Sequence, residues 1–146
     1  MKSYTDIEQS KKLAEILPLD SADMYYKYVL PKSDMISYVP EIGNPVDSLK
    51  WYNEGYTFRG KREPITLNEY CVPCWSLAAL LGVLPKICYP VKQDYPTYLT
   101  LGKPKDKWCA LYWDATGMQD GEQTLADNPV DACVEMIIKL HDQKLL

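Results

Sequence analysis

The sequence predicts an α+β fold, with three to four helices packed on a small antiparallel sheet built from β-hairpins. Three observations support this prediction: strand-like segments occur in pairs around turn-forming residues, helix-like segments begin with capping residues, and the two kinds do not alternate as in parallel βαβ units. The chain has 146 residues, a length typical of one domain with a self-sufficient core. We therefore expect a single globular domain over residues 1–146.

The first predicted helix begins at Thr5. The segment from Thr5 to Glu8 matches a capping box, in which a hydroxyl and a carboxylate accept hydrogen bonds from free backbone N–H groups. Pro18 is expected to end this helix because proline disrupts a helix interior. Its apolar face consists of Ile7, Leu13, Ala14, Ile16 and Leu17.

Three pairs of segments rich in β-branched and aromatic residues predict β-hairpins, since turn-forming residues separate the members of each pair. The polar segment from Asp114 to Asp127 carries two glycines and predicts an exposed loop. The paired segments are Met24–Leu30 with Met35–Pro40, Tyr56–Phe58 with Pro64–Leu67, and Thr97–Leu101 with Trp108–Trp113.

The tetrapeptide Asn-Pro-Val-Asp occurs twice, at residues 44–47 and 128–131. Asn is favoured before a helix, Pro at its first position, and an acid at its third position complements the helix dipole. Each copy is therefore expected to open a helix, the first ending near Gly55 and the second near Gln143. Residues expected on one apolar face of the second helix are Val130, Cys133, Val134, Ile137 and His141.

The segment from Cys71 to Pro85 combines the most apolar run with a Cys-x-x-Cys pair. Its leucines recur at helical spacing, which predicts a helix with Cys71 and Cys74 at its N-terminus. There the helix dipole can lower a thiol pKa, so the two cysteines are candidate redox residues. Two ordinary buried or capping thiols are the favoured alternative, because Trp75 follows the second cysteine and no βαβ unit surrounds the pair.

Other metal-binding or catalytic candidates occur singly. A zinc site needs about four ligands with tetrahedral reach, and the sequence has one histidine and no second close cysteine pair. The acidic segment 114–122 does not match a calcium loop. We expect no cofactor, no metal site, and no catalytic residue beyond Cys71 and Cys74. The single residues are Cys88, Cys109, Cys133 and His141, of which the histidine fits a role near the helix C-terminus.

The net charge of −4 is divided unevenly: residues 1–58 carry −3, residues 59–107 carry +4 and residues 108–146 carry −5. A basic middle could contact the phosphates of a nucleic acid. The overall acidity and the turn-like context of the basic residues argue against a nucleic-acid partner. These residues are Arg59, Lys61, Arg62, Lys103, Lys105 and Lys107.

The sequence contains no run approaching the ~20 apolar residues that span a bilayer. Its first residues lack the apolar stretch of a signal peptide. Five cysteines, an odd number, are not spaced as a disulfide framework. We therefore expect a cytoplasmic protein with free thiols and no membrane association.

A resemblance covers both ends and the centre of the chain. The stretches that carry it are Pro73–Leu81 followed by Leu84–Pro85, Thr5–Ser10 leading to Leu13–Pro18, and Pro129–Ile137. Together they resemble a group of short uncharacterised proteins of gut Bacteroidales genomes and their prophages or mobile elements. That group has no assigned activity, so the resemblance implies no catalytic residues. Its members vary at the positions of Cys71 and Cys74, which weakens the redox interpretation. The resemblance implies a mobile-element accessory protein that binds or regulates.

The functional hypothesis is a non-enzymatic interaction protein whose hairpins present a tyrosine-rich surface to a macromolecular partner. The chain has 12 Tyr and 4 Trp against 1 Phe, and both abundant types combine a large ring with a polar tip. A small thiol-dependent enzyme using Cys71 and Cys74 is the first alternative. A nucleic-acid binder using the basic middle is the second.

Overall fold

The computed structural model describes residues 1–29, 37–58, 63–89, 96–114 and 120–146. Within these ranges it has five α-helices and two antiparallel sheets, one of three and one of four strands. The α+β prediction is confirmed. Residue contacts group the chain into an N-terminal unit, Asp6–Ser76, and a C-terminal unit, Met1–Thr5 with Leu77–Leu146. The assignment of one domain stays a prediction.

The N-terminal unit contains a three-stranded sheet in the order β2-β1-β3, with α1 in contact with β3. Met24 of β1 lies opposite Ile42 of β2 and Cys74 of β3, so the central strand is paired on both sides. The first predicted hairpin is therefore confirmed. The elements are α1 (Ile7–Ala14), a 3-10 helix (Leu19–Ser21), β1 (Met24–Val29), β2 (Ser37–Ile42), α2 (Pro45–Phe58), α3 (Leu67–Tyr70) and β3 (Cys71–Cys74).

The capping box of α1 lies one residue later than the sequence predicts. The Asp6 carboxylate accepts a hydrogen bond from the Gln9 N–H at 2.9 Å, and the Gln9 side chain accepts one from the Asp6 N–H at 3.2 Å. Thr5 is fully buried instead of capping the helix. Because a carboxylate caps a helix as well as a hydroxyl does, the local sequence does not decide between Thr5 and Asp6 as the N-cap residue.

The predicted second hairpin, Tyr56–Phe58 with Pro64–Leu67, is wrong. Helix α2 continues to Phe58 and α3 begins at Leu67. Helix α2 passes through Gly55, where it was expected to end, because glycine costs a helix interior only about 1 kcal/mol. The turn of the first hairpin, 31–34, and the basic residues 59–62 lie outside the described residues.

The helix predicted from Cys71 begins six residues later, at Leu77. Residues Cys71–Cys74 form β3, which pairs antiparallel with β1. The predicted position of Cys71 and Cys74 at a helix N-terminus is therefore wrong. Pairing with a strand more than forty residues away determines the conformation of this segment. The local sequence pattern does not indicate that pairing.

The C-terminal unit contains a four-stranded sheet in the order β4-β5-β6-β7, with α5 in contact with β6, β7 and α4. The third predicted hairpin is confirmed, since Thr97 lies opposite Asp114. No helix among the described residues is long and apolar enough to cross a membrane. The elements are α4 (Leu77–Val83), β4 (Ile87–Cys88), β5 (Thr97–Gly102), β6 (Trp108–Asp114), β7 (Asp120–Ala126) and α5 (Pro129–Asp142).

Two predictions in this unit are corrected. The segment predicted as an exposed loop, Asp114 to Asp127, contains β7. Its buried residues are the small Thr124 and Ala126, which give no hydrophobic alternation. His141 is exposed and does not share the buried face of α5. The buried residues of α5 are Pro129, Val130, Ala132, Cys133, Val134, Met136, Ile137 and Leu140.

Candidate binding groove

A groove of about 410 Å³ lies within the N-terminal unit, where α2 and α3 meet β1. Four aromatic side chains line it together with one carboxylate, one amide and one hydroxyl. We call it the aromatic groove. Its lining residues are Tyr25, Asn44, Asp47, Ser48, Trp51, Tyr52 and Tyr70.

Helix α2 supplies one wall of the aromatic groove. Residues three and four apart share a helix face, so Asp47 and Ser48 lie one turn before Trp51 and Tyr52. Asn44 fixes where this wall begins. Its side-chain oxygen accepts hydrogen bonds from the backbone N–H groups of the first turn at 2.9 and 3.2 Å. Its amide donates to the carbonyl oxygens of residues 20 and 22 at 2.9 and 3.3 Å.

The turn before Asn44 requires glycine. Gly43 has a φ of +142°, a conformation that side chains with a Cβ rarely adopt. Its N–H donates to the Asp23 carbonyl oxygen at 2.8 Å. A Cβ at this position would lie 3.5 Å from Ser48 Oγ and 3.7 Å from a ring carbon of Tyr25. These distances are ordinary van der Waals contacts, so the backbone conformation and not a lack of space requires glycine at this turn.

Three tyrosines form the packed side of the groove. The ring of Tyr70 lies 5.8 Å from that of Tyr25 and 5.1 Å from that of Tyr52, centroid to centroid, distances at which tilted aromatic pairs attract. The Tyr25 hydroxyl donates to Glu41 Oε2 at 2.8 Å. Burial, with a hydrogen bond to Tyr25, raises the pKa of Tyr70 to about 12. The phenol is therefore neutral at physiological pH.

Trp51 and Asp47 form the open side of the groove. Trp51 is 80% exposed, although tryptophan is normally buried over most of its surface. By contrast, Trp75 of the same unit is fully buried and donates to Ser21 Oγ at 3.0 Å. The Asp47 side chain is exposed and forms no ion pair with a basic residue in the described part of the chain. An exposed aromatic face and an exposed carboxylate thus lie one helical turn apart.

The candidate redox residues Cys71 and Cys74 are both buried on β3. Strand residues three apart point to opposite faces, with Cα atoms about 10 Å apart, beyond the ~7 Å that a disulfide spans. Burial raises the pKa of the Cys71 thiol to about 12. The strand therefore removes the thiolate-stabilising helix N-terminus on which the redox hypothesis depends.

The remaining predicted candidates are not brought together. The other three cysteines are buried free thiols of the C-terminal unit, and burial raises the pKa of Cys133 to about 12. His141 Nδ1 lies 3.7 Å from the carboxylate of its neighbour Asp142. Within the described ranges, no group of three or more His, Cys, Asp or Glu side chains could hold a metal ion. The lysines between β5 and β6 are exposed, and Lys107 pairs with Asp127.

The sequence did not indicate the aromatic groove, because its residues come from three separate segments. The excess of tyrosine and tryptophan was the available signal, and it did not distinguish core from surface. Comparison of the chain with protein-family models, curated proteins and solved structures gives no match.

Proposed function

We propose that this chain is a non-enzymatic, cytoplasmic interaction protein, and that the aromatic groove contacts its macromolecular partner, a protein. The observation that carries the proposal is Trp51, an 80% exposed indole beside three tyrosines. Tryptophan and tyrosine are the residues most enriched among those that dominate binding energy. Together with the resemblance to mobile-element proteins, this supports an accessory role in such an element or a phage.

The arrangement around Trp51 supports binding in a second way. The three tyrosine rings pack against one another, and Asn44 and Gly43 hold the start of α2. A partner would therefore meet a surface that needs little ordering, which lowers the entropic cost of association. A partner residue that covered the indole would remove its apolar surface from water, which is favourable by about 25 cal/mol for each Å² buried.

The cytoplasmic assignment rests on the thiols. All five cysteines of the chain are free, a state that a reducing compartment maintains.

The hairpin surface that the sequence favoured has a counterpart in the C-terminal unit. Ile87, Tyr98 and Trp113 lie directly opposite one another across β4, β5 and β6, and each is partly exposed. Trp113 is only 37% exposed, less than half the value for Trp51. This row is the weaker candidate surface and supplies a matched control.

Affinity capture from the source cells tests the proposal. The bait is the full chain as wild type, Trp51→Ala and Trp113→Ala, with equal folding checked by circular dichroism. Truncating a dominant interface residue costs at least about 2 kcal/mol, or roughly thirtyfold in affinity. We expect Trp51→Ala to lose the partner that wild type and Trp113→Ala retain. Equal capture by Trp51→Ala, or loss with Trp113→Ala alone, would contradict the groove as the contact surface.

A further inference from the structure

In the second Asn-Pro-Val-Asp copy, the carboxylate of the aspartate forms an ion pair with a lysine. At the start of α5, Asp131 Oδ1 accepts a hydrogen bond from Lys2 Nζ at 2.7 Å. Both side chains are about one-quarter exposed. The segment that carries Lys2 is held beside α4, because the Leu77 N–H donates to the Ser3 carbonyl oxygen at 3.0 Å. Thus a lysine on a short extended segment docks on this acid.

The first copy presents the same acid without such a partner. Asp47 occupies the helix position of Asp131, but no lysine or arginine of the described chain pairs with it, not even Lys50 one turn away. The indole of Trp51 follows on the same helix face. A carboxylate gives a cation an ion pair, and the face of an indole attracts it through the ring quadrupole. The groove therefore combines two groups that select positive charge.

We propose that the aromatic groove binds a basic peptide segment of the partner, with one lysine or arginine side chain lying over Trp51 and pairing with Asp47. This inference rests on the proposed function and names the chemistry of its ligand. The volume of about 410 Å³ falls within the range of side-chain and small-ligand sites, ~300–1,000 Å³. Nucleic acid fits poorly, because the Asp47 carboxylate would face its phosphates.

Blocked pentapeptides test the charge preference directly. The probes are acetyl-Gly-Gly-X-Gly-Gly-amide with X as arginine, its neutral isostere citrulline, or glutamate. Binding to the full ¹⁵N-labelled chain is read from the indole N–H signal of Trp51, assigned with Trp51→Phe. We expect arginine to bind about five- to tenfold more tightly than citrulline, and glutamate not to bind. Added salt should weaken the binding of the arginine peptide more than that of the citrulline peptide.

Two variants connect this preference to Asp47. Asp47→Asn keeps the side-chain shape and should reduce the preference for arginine over citrulline to the part that the indole of Trp51 supplies. Glu135→Gln removes an exposed carboxylate from α5 and should leave all affinities unchanged. Equal binding of arginine and citrulline would overturn the preference for a basic side chain, and so would an unchanged preference for arginine in Asp47→Asn. In either case, a shift of the Trp51 indole signal would still identify the groove as a binding site.

Failure of this inference is separable from failure of the proposed function. If no peptide shifts the Trp51 signal at millimolar concentration, yet Trp51→Ala still loses its partner in capture, the basic peptide is wrong and the groove remains the contact surface. A stronger response to a ten-residue oligothymidylate than to the arginine probe would overturn the peptide in favour of nucleic acid.

Discussion

The two Asn-Pro-Val-Asp copies make the same helix start and then diverge. In each, the Asn side-chain oxygen accepts a hydrogen bond from the N–H of the Asp, at 3.2 Å for Asp47 and 2.9 Å for Asp131. The valine is 42% exposed in the first copy and fully buried in the second. The acid pairs with no basic residue of the described ranges in the first copy and is ion-paired with Lys2 in the second. The tetrapeptide therefore specifies the helix start, and the surroundings decide what its side chains do.

The residues that follow each copy explain the difference. After Asp131 comes a nearly continuous apolar run, so α5 buries most of its circumference in the C-terminal unit. After Asp47 the chain reads Ser48, Leu49, Lys50 and Trp51, which leaves α2 a polar and aromatic side. One copy thus opens a core helix and the other a surface helix that carries the aromatic groove.

The largest expected contrast is between the two valines. Val130→Ala removes two methyl groups from a fully buried site and should lower the free energy of unfolding by about 2 kcal/mol. Val46→Ala should change it by less than about 0.5 kcal/mol because the side chain is half exposed. Urea denaturation followed by circular dichroism measures both. Similar midpoints for the two variants would contradict the assignment of one copy to a core and the other to a surface.

The two asparagines should differ in the opposite direction. Asn128 caps α5 and otherwise contacts Asp131 locally, so Asn128→Ala should cost about 1 kcal/mol. Asn44 also donates to two carbonyl oxygens before β1, so Asn44→Ala should cost about 2 kcal/mol. The same denaturation measurement compares them. A larger loss for Asn128→Ala would show that the contacts of Asn44 outside α2 add nothing to stability.

Local chemistry predicted part of this fold. The starts of α2 and α5 depend on caps adjacent in sequence, and the hairpins β1–β2 and β5–β6 depend on turns between neighbouring strands. Strand β7 was not predicted because its buried residues, Thr124 and Ala126, are small or polar and give no hydrophobic alternation. Thr124 is satisfied at its buried position by its hydroxyl, which donates to the Ala132 carbonyl oxygen at 2.8 Å. Strand β3 was missed because its partner, β1, is remote in sequence.

The candidate site was even less accessible from sequence. The redox hypothesis required Cys71 and Cys74 at a helix start, and pairing with β1 placed them on a strand instead. The aromatic groove depends on Tyr25, Trp51 and Tyr70 meeting through the fold. Composition could show an excess of such residues but not their arrangement, because several others, such as Tyr112, are core residues with a buried ring.

The smallest expected effect, the coupling of each acid to one lysine side chain, is the sharpest test of the comparison. A double-mutant cycle with Lys2→Gln and Asp131→Asn should give a coupling of about 0.5–1 kcal/mol at low ionic strength, because both side chains are largely buried. The coupling should shrink in 0.5 M salt. The matched cycle with Lys50→Gln and Asp47→Asn should give a coupling near zero, since the structure describes no ion pair there. Equal couplings would mean that Asp47 is already satisfied within the chain. That result would remove the distinction between the two copies, together with the unpaired charge that the groove offers to a basic partner.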